Sequence, residues 1–409
     1  MSSSTEGSVR VPSYRTLLLI CCTVCFFCYF GSYMRIPVVP LFAQSLGADT
    51  IQVGLINSSF LLMAGLLSLP LGILSDRVGR RILILSGLLI SCCSSFLFYY
   101  SRTPVQMMLI YLFFGVGLAA FAPTLMSFVA DFTPSTHLGR SYGWYTTALY
   151  GGMSLGPAAG GFAGQWLGFP PVFLLSGTFI LLMVFVAHLF VPRAHQVPAK
   201  RPRKRAIRIM AGELLRNRPL LSCWMITLGG CFGLGMFVTF VPLHAQEQGL
   251  NLGQIGIVFA AQALFNALSR IPFGYLSDRV SDRSVLVVIG MLCFAVSMAG
   301  IGFSTHIFQF LIWAVILGIS MGVAFTALGA LISEVVSPDS RGLAMGGYNT
   351  CIYLGMMLSA VIMGIIIRET GYARAFLLTG TLNLIPLAVF YIATRRFIIW
   401  KSSVNKPED

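Results

Sequence analysis

The chain has 409 residues, 56% of them hydrophobic and 10% charged, with a mean hydropathy of +0.84. Soluble domains carry about 25% charged residues, so this composition excludes an ordinary soluble enzyme, a disordered chain and a disulfide-stapled secreted domain. The net charge of +14, from 27 Lys+Arg against 13 Asp+Glu, then becomes a question of membrane topology rather than of an acidic partner.

A hydrocarbon core about 30 Å thick is crossed by roughly 20 apolar helical residues. Twelve such segments follow one another, near 15–43, 51–74, 82–100, 105–129, 141–165, 170–191, 219–244, 253–275, 284–304, 307–332, 343–367 and 375–394. The predicted fold class is an all-α membrane protein with twelve transmembrane helices. Loops are short except near 192–218, and an even number of crossings returns both termini to one side. Of the 27 Lys and Arg, Arg102, Arg368 and Arg374 lie on the opposite side and Arg35 and Arg270 within spans, which leaves 22 on the terminal side. Both termini are therefore expected in the cytoplasm, in a plasma membrane or a Gram-negative inner membrane. The polar N-terminal tail runs into a span too long for a signal's apolar region, so no secretory signal is expected. Ten Cys lie in or beside spans, and Cys21, Cys25 and Cys28, on one helix face, read as small packing residues. No metal and no cofactor are expected.

The chain repeats itself. Val39-Pro40-Leu41-x-Ala43-Gln44-x-x-Gly47 recurs as Val241-Pro242-Leu243-x-Ala245-Gln246-x-x-Gly249, at an offset of 202. Gln52 and Gly54 match Gln254 and Gly256, and Pro70 and Gly72 match Pro272 and Gly274. Leu74 to Val78 match Leu276 to Val280, and 17 of the 40 positions from 39 to 78 are identical. At an offset of 203, Tyr145, Thr147, Tyr150, Gly152 and Met153 match Tyr348, Thr350, Tyr353, Gly355 and Met356. Two six-span halves in parallel repeat are a transporter architecture, with a site at their interface and alternating access by rocking. The expected domains are a six-helix bundle over 1–191, a basic linker over 192–218 and a second bundle over 219–409. Gly212 to Arg218 is placed as a short helix on anionic lipid. The basic run Lys200 to Arg205 is read as topology, with no nucleic-acid partner.

Gly72-Ile-Leu-Ser-Asp76-Arg77-Val-Gly79-Arg80-Arg81, between spans 2 and 3, resembles motif A of the major facilitator superfamily. Gly72 would let helices approach, Asp76 could face a helix N-terminus, and the arginines could pair with acids. The resemblance implies a conformational latch of Asp76, Arg80 and Asp131. In the second copy Gly274, Asp278 and Arg279 remain, but Asp282 stands at the Arg80 position. A weaker second relay is expected there, with Glu334 in the place of Asp131. Gly143, Gly152, Gly156, Pro157, Gly160 and Gly161 of span 5 follow the spacing of motif C, the antiporter motif. There glycines permit tight helix contact and Pro157 bends the helix. Gly31, Pro37 and Pro40 resemble the span-1 motif of twelve-span drug:proton antiporters. One feature departs: that group carries an arginine on span 4 where this chain has Tyr111, which puts the usual proton relay in doubt. The resemblance covers essentially the whole chain and implies an efflux permease of two pseudo-symmetric bundles.

Charge inside a membrane is a functional hypothesis by default. All 13 acids fall in tails, loops or span ends, so no midplane carboxylate offers itself for proton coupling. His188 and His244, late in spans 6 and 7, read as interfacial. Arg35 lies about 30 Å of helix beyond Arg15. It could clamp a carboxylate or phosphate in the cavity, or snorkel to the outer headgroups, and both readings stand. Arg270, eight residues before Asp278, reads as structural or gating. The polar candidates for substrate contact are Asn57, Tyr111, Tyr145, Tyr150, Gln262, Asn266, Tyr348 and Asn349.

The favoured function is secondary active export of small amphipathic organic compounds against protons, by a monomer. An anion transporter using Arg35 is the runner-up, and a lipid or glycolipid flippase is a third reading. A non-transporting receptor is disfavoured by the latch. Enzymatic function is disfavoured too, because the chain has no nucleophile–base set, metal-ligand spacing or nucleotide loop.

Overall fold

The computed structural model describes residues 13–192, 210, 212–280, 282–337 and 340–404. The basic run Lys200 to Arg205, and most of the linker with it, falls outside these described residues. At the linker's end residues 212–214 are helical, and Asn217 caps the next span by accepting from Leu220 N at 3.1 Å.

Spans 1 to 6 are Tyr14–Met34 continued by Val38–Ser45, Thr50–Val78, Arg80–Tyr100, Pro104–Phe132, Leu138–Leu167 and Phe169–Phe190. Spans 7 to 12 are Arg218–Glu247, Leu252–Arg279, Arg283–Gly302, Ile307–Val335, Arg341–Thr370 and Tyr372–Val404. Eleven of these are long and apolar enough to cross a membrane by composition alone. Span 5 is the exception by hydropathy, diluted by its glycines and hydroxyls, although its 30 residues are ample in length. The helices outrun the predicted apolar segments because polar caps continue them past the hydrocarbon. Asp49 with Gln52 and Asn251 with Gln254 form capping boxes at spans 2 and 8. These are the repeat-related glutamines of the sequence, now given a structural reason.

Span 1 breaks where Pro37 interrupts it. Met34 ends the first helix, Val38 N and Val39 N both donate to the Arg35 carbonyl at 3.0 and 2.8 Å, and a short second helix follows. Gly79, at φ 107, turns the chain from span 2 into span 3 in one residue. Its counterpart lacks that glycine, so spans 8 and 9 are joined by the longer stretch 280–282. That added residue is where the repeat offset changes from 202 to 203.

Glycines decide how closely the helices approach. A Cβ on Gly152 would strike the Phe26 carbonyl of span 1, and one on Gly355 the Leu228 carbonyl of span 7. Phe26 and Leu228 are themselves repeat partners, so each half builds this seam alike. Gly156 and Gly160 extend it along span 1, against Phe30 and Met34. Gly161 belongs to a different seam, between the halves, where it meets Leu252 and Gly256 of span 8. By the same symmetry Gly364 meets Thr50 and Ile51 of span 2, Gly54 meets the Ala360 carbonyl, and Gly256 meets the Pro157 carbonyl.

These cross-half contacts lie at the end of the molecule away from the termini, here called the far side. Hydrogen bonds between the halves gather there too. Thr50 Oγ1 donates to the Gly364 carbonyl at 2.8 Å, and Gly253 N to Gln165 Oε1 at 3.2 Å. At the terminal side, Gly72, Gly139, Gly143, Gly342 and Gly346 have nothing within 4 Å of where a Cβ would stand. The expected helix approach at Gly72 and Gly143 is therefore absent in this state. The two halves are closed at the far side and parted at the terminal side.

Candidate functional site: the cleft between the halves and its two relays

Two ion-pair networks tie the spans of each half together at the terminal side. In the first, Arg80 Nη1 lies 2.9 Å from Asp76 and its Nε lies 2.7 Å from Asp131. The same Nη1 donates to Ser75 Oγ at 2.8 Å. The second network corrects the expectation of a weakened copy. Arg283, one residue beyond Asp282, takes the part of Arg80, with Nη2 3.0 Å from Asp278 and Nη1 3.0 Å from Glu334. The longer 280–282 link shifts the register by one and brings Arg283 into the position that alignment at a fixed offset gave to Asp282. Asp282 instead caps span 9 through the backbone N of Ser284 at 2.9 Å. Arg77 and Arg279 are exposed at the ends of spans 2 and 8.

The cleft narrows to an apex where the far-side seams end. On one side of the apex, Tyr353 of span 11 packs on Gly65 and lies within hydrogen-bond reach of Ser68 of span 2. On the other, the Arg270 guanidinium of span 8 lies 4.6 Å from the ring centroid of Tyr150 on span 5. Tyr150 and Tyr353 are repeat partners, and so are Ser68 and Arg270. The two sides of the apex are the same contact built twice, with a cation replacing a hydroxyl in one. Tyr29 and Tyr33 of span 1 sit one helical turn apart, ring centroids 6.1 Å from each other, and lie within electrostatic reach of Tyr353. Tyr348 lies within reach of Arg270 and Tyr150. Each of these tyrosines is partly accessible although it lies between the halves, as residues lining an open cleft must be.

Arg270 Nε donates to Asn266 Oδ1 at 3.0 Å, which fixes the side chain against span 8. Asn266 and Gln262 also direct their amide nitrogens at Met321 Sδ of span 10, at 3.9 and 3.3 Å. Both amides are buried, so they tie spans 8 and 10 together behind the apex. Asn57 is buried on span 2, and Asn349 is exposed on span 11. Tyr145 stands apart from the cleft: at 2% exposure it packs in the N-terminal core with Cys25, Phe121 and Phe128. Of the expected contacts, then, Tyr348 lines the cleft, Gln262 and Asn266 support it, and Tyr145 and Tyr111 sit inside the first half. Tyr29, Tyr33, Ser68 and Tyr353 were not singled out from sequence. Tyr353 was legible in principle, because it repeats Tyr150.

Arg35 follows neither of its two sequence readings. It is 0% exposed, so it does not reach the headgroups and does not open onto the cleft. Its Cζ lies 4.2 Å from the Phe114 ring centroid and 6.0 Å from that of Phe98. Tyr111 packs on the same two rings, at 5.9 and 4.9 Å. The cation absent from position 111 of span 4 is thus supplied to the same aromatic layer from the break in span 1. The guanidinium nitrogens have no hydrogen-bond partner among the described residues, and the aromatic faces are what hold the charge.

His188 is exposed at the end of span 6, and its carbonyl accepts from Arg81 Nη2 at 2.5 Å. His244 lies at the far-side end of span 7. It is 3% exposed, with Phe310, Tyr372 and Phe376 around its ring at 5.4 to 5.6 Å. It forms part of the wall of a far-side cavity of about 640 Å³, lined also by Glu247, Thr370, Tyr372 and Arg374.

Two repeated bundles of membrane-spanning helices, packed at one face and parted at the other, are the architecture of a membrane transporter. The major facilitator superfamily model matches residues 21–253 and again 231–407, and the chain belongs to that family. It is 24% identical over 362 residues to an uncharacterised MFS-type transporter of Methanocaldococcus jannaschii, covering 88% of this chain and 93% of that one. It is 23% identical over 381 residues to the multidrug resistance protein MdtG of Citrobacter koseri, covering 91% and 93%. A solved bacterial homologue of the human lysosomal transporter Spinster, inward-facing and unoccupied, superposes with a TM-score of 0.81 at 18% identity, covering 94% and 98%. The protein is a secondary transporter of small molecules in a membrane, and not an enzyme.

Proposed function

We propose that this transporter exports small amphipathic organic compounds from the cytoplasm in exchange for protons. The observation that carries the reading is the cleft: parted at the terminal side, closed at the far side, and ending in a tyrosine-lined apex. Residues 1–191 and 219–409 would rock as two bodies about that apex, joined by 192–218, with the relays of Arg80 and Arg283 as latches. The positive-inside bias supports termini in the cytoplasm, which would make the open cleft inward-facing. The protein would work as a monomer in the plasma membrane, or the inner membrane of a Gram-negative cell. A tyrosine surface suits amphipathic compounds, since each ring offers an apolar face and a polar tip. The similarity to a multidrug resistance protein supports export. For protons, the described spans offer buried His244, a side-chain type that changes charge near physiological pH.

The test is uptake into inside-out vesicles of a panel of cationic, neutral and anionic amphipathic dyes, with a pH gradient imposed and then collapsed. Accumulation above empty vesicles, lost on collapse, is the expected result. Accumulation that ignores the gradient overturns proton exchange, and no accumulation of any dye overturns export.

A further inference from the structure

We infer that the compounds bound at the apex are organic anions, with Arg270 as their counter-charge. The inference rests on the export reading and names the substrate class of the same cleft.

Charge bookkeeping around the apex is one-sided. Arg270 is half-buried between the halves, where a cation is costly unless something answers it. It spends Nε on the neutral amide of Asn266, and its face lies over the ring of Tyr150. No carboxylate pairs with it among the described residues. Five acids near the terminal ends of the spans are already engaged: Asp76 and Asp131 with Arg80, Asp278 and Glu334 with Arg283, and Asp282 in the cap of span 9. The guanidinium edge thus keeps its two terminal nitrogens for a ligand. That edge presents parallel N–H donors, the geometry that carboxylates, sulfonates and phosphates accept.

The repeat isolates the cause. At the matching point of the other seam the residue is Ser68, within reach of Tyr353, which packs on Gly65. A cation is therefore no requirement of this seam. Replacing a serine by arginine adds a charge to the cleft and nothing that neutralises it. Arg35 does not compete for the role, because it is sealed in the first half. A cationic substrate would meet repulsion at the apex and find no acid there among the described residues. An interior-negative membrane potential drives an anion outward and a proton inward, so both movements of the proposed exchange run with it.

The experiment uses the purified full chain in detergent and three probes of one shape: 2-naphthoate, 2-naphthylmethanol and 2-naphthylmethylammonium. Affinities are read by thermal shift and by fluorescence titration. 2-Naphthoate is expected to bind tighter than either other probe by about tenfold or more, the scale of one charge-assisted hydrogen-bonded pair. Arg270→Gln should bring naphthoate to the affinity of the alcohol, with a much smaller change for the alcohol than for naphthoate. Arg270→Lys, which keeps the charge, should retain part of the preference and guards against a variant that merely misfolds. Equal affinities in the wild type, a preference that survives Arg270→Gln, or an equal loss for all three probes would each overturn the inference while leaving the vesicle result for export intact. Failure of all three probes to bind would overturn it as well, and vesicle uptake then tells whether the export reading falls with it.

Discussion

The two seams between the halves repeat the same backbone contacts, and beside the apex one of them carries a cation that the other lacks. Gly54 against Ala360 repeats as Gly256 against Pro157, and Gly364 against Thr50 repeats as Gly161 against Leu252. Below these, Tyr353 meets Ser68 in one seam and Tyr150 meets Arg270 in the other. The backbone approach is symmetric and the chemistry beside it is not. In the proposed transport cycle, features kept in both copies would serve the rocking of the halves, and features present in one are candidates for recognition.

Several substitutions would break or sharpen that division. The largest effect is expected from Gly161→Leu or Gly364→Leu, which places a side chain on the backbone of the opposite half. Each should disfavour far-side closure by about 2–3 kcal/mol, roughly 30–150-fold in its population. Accessibility of a cysteine introduced near Thr50 or Leu252 reports it. Gly143→Leu, in open space, should leave the same measurement unchanged, and parity between the two would refute a seam confined to the far side.

Next comes a swap across the seams. Arg270→Ser combined with Ser68→Arg moves the cation to the mirror position beside Tyr353. It is expected to regain most of the anion preference lost in Arg270→Ser alone, as measured with the naphthalene probes. If only position 270 supports binding, the pseudo-symmetry of the apex is geometric but not functional.

The relays should respond alike. Arg80→Ala and Arg283→Ala each strip two exposed acids of their partner, at a cost of at most about 1 kcal/mol per pair. Matching losses in initial transport rate are expected. A silent Arg283→Ala would restore the reading of a degenerate second copy.

The smallest effect concerns Arg35. Replacing a buried charge that no acid pairs with by an apolar side chain is often neutral or stabilising. Arg35→Met should hold or raise the melting temperature, whereas Arg35→Lys, losing the planar stacking on Phe114, should lower stability by about 1 kcal/mol. A collapse of Arg35→Met would show that the aromatic layer requires the cation.

Much was legible before any coordinates. Apolar runs set the twelve spans, because hydrocarbon demands helices of a fixed length. The repeat set the two halves, and motif spacing located Arg80 with Asp131. The counterpart of Arg80 is Arg283 and not Asp282, because identity at one offset cannot register a residue gained between Val280 and Arg283. Span 1 hid Tyr29 and Tyr33, since two tyrosines in an apolar helix look the same whether they face lipid, core or cleft.

By itself, then, the sequence determined that this is a twelve-span chain of two related halves, with its charge kept out of the membrane except at Arg35 and Arg270. Composition and periodicity suffice for that, because the bilayer acts on each helix separately. Which of the two arginines stands between the halves was decided by tertiary structure alone. A helix tells how deep a residue lies but not which neighbour it faces. Packing turned Arg35 into the aromatic layer of the first half and left Arg270 at the seam, where the halves part.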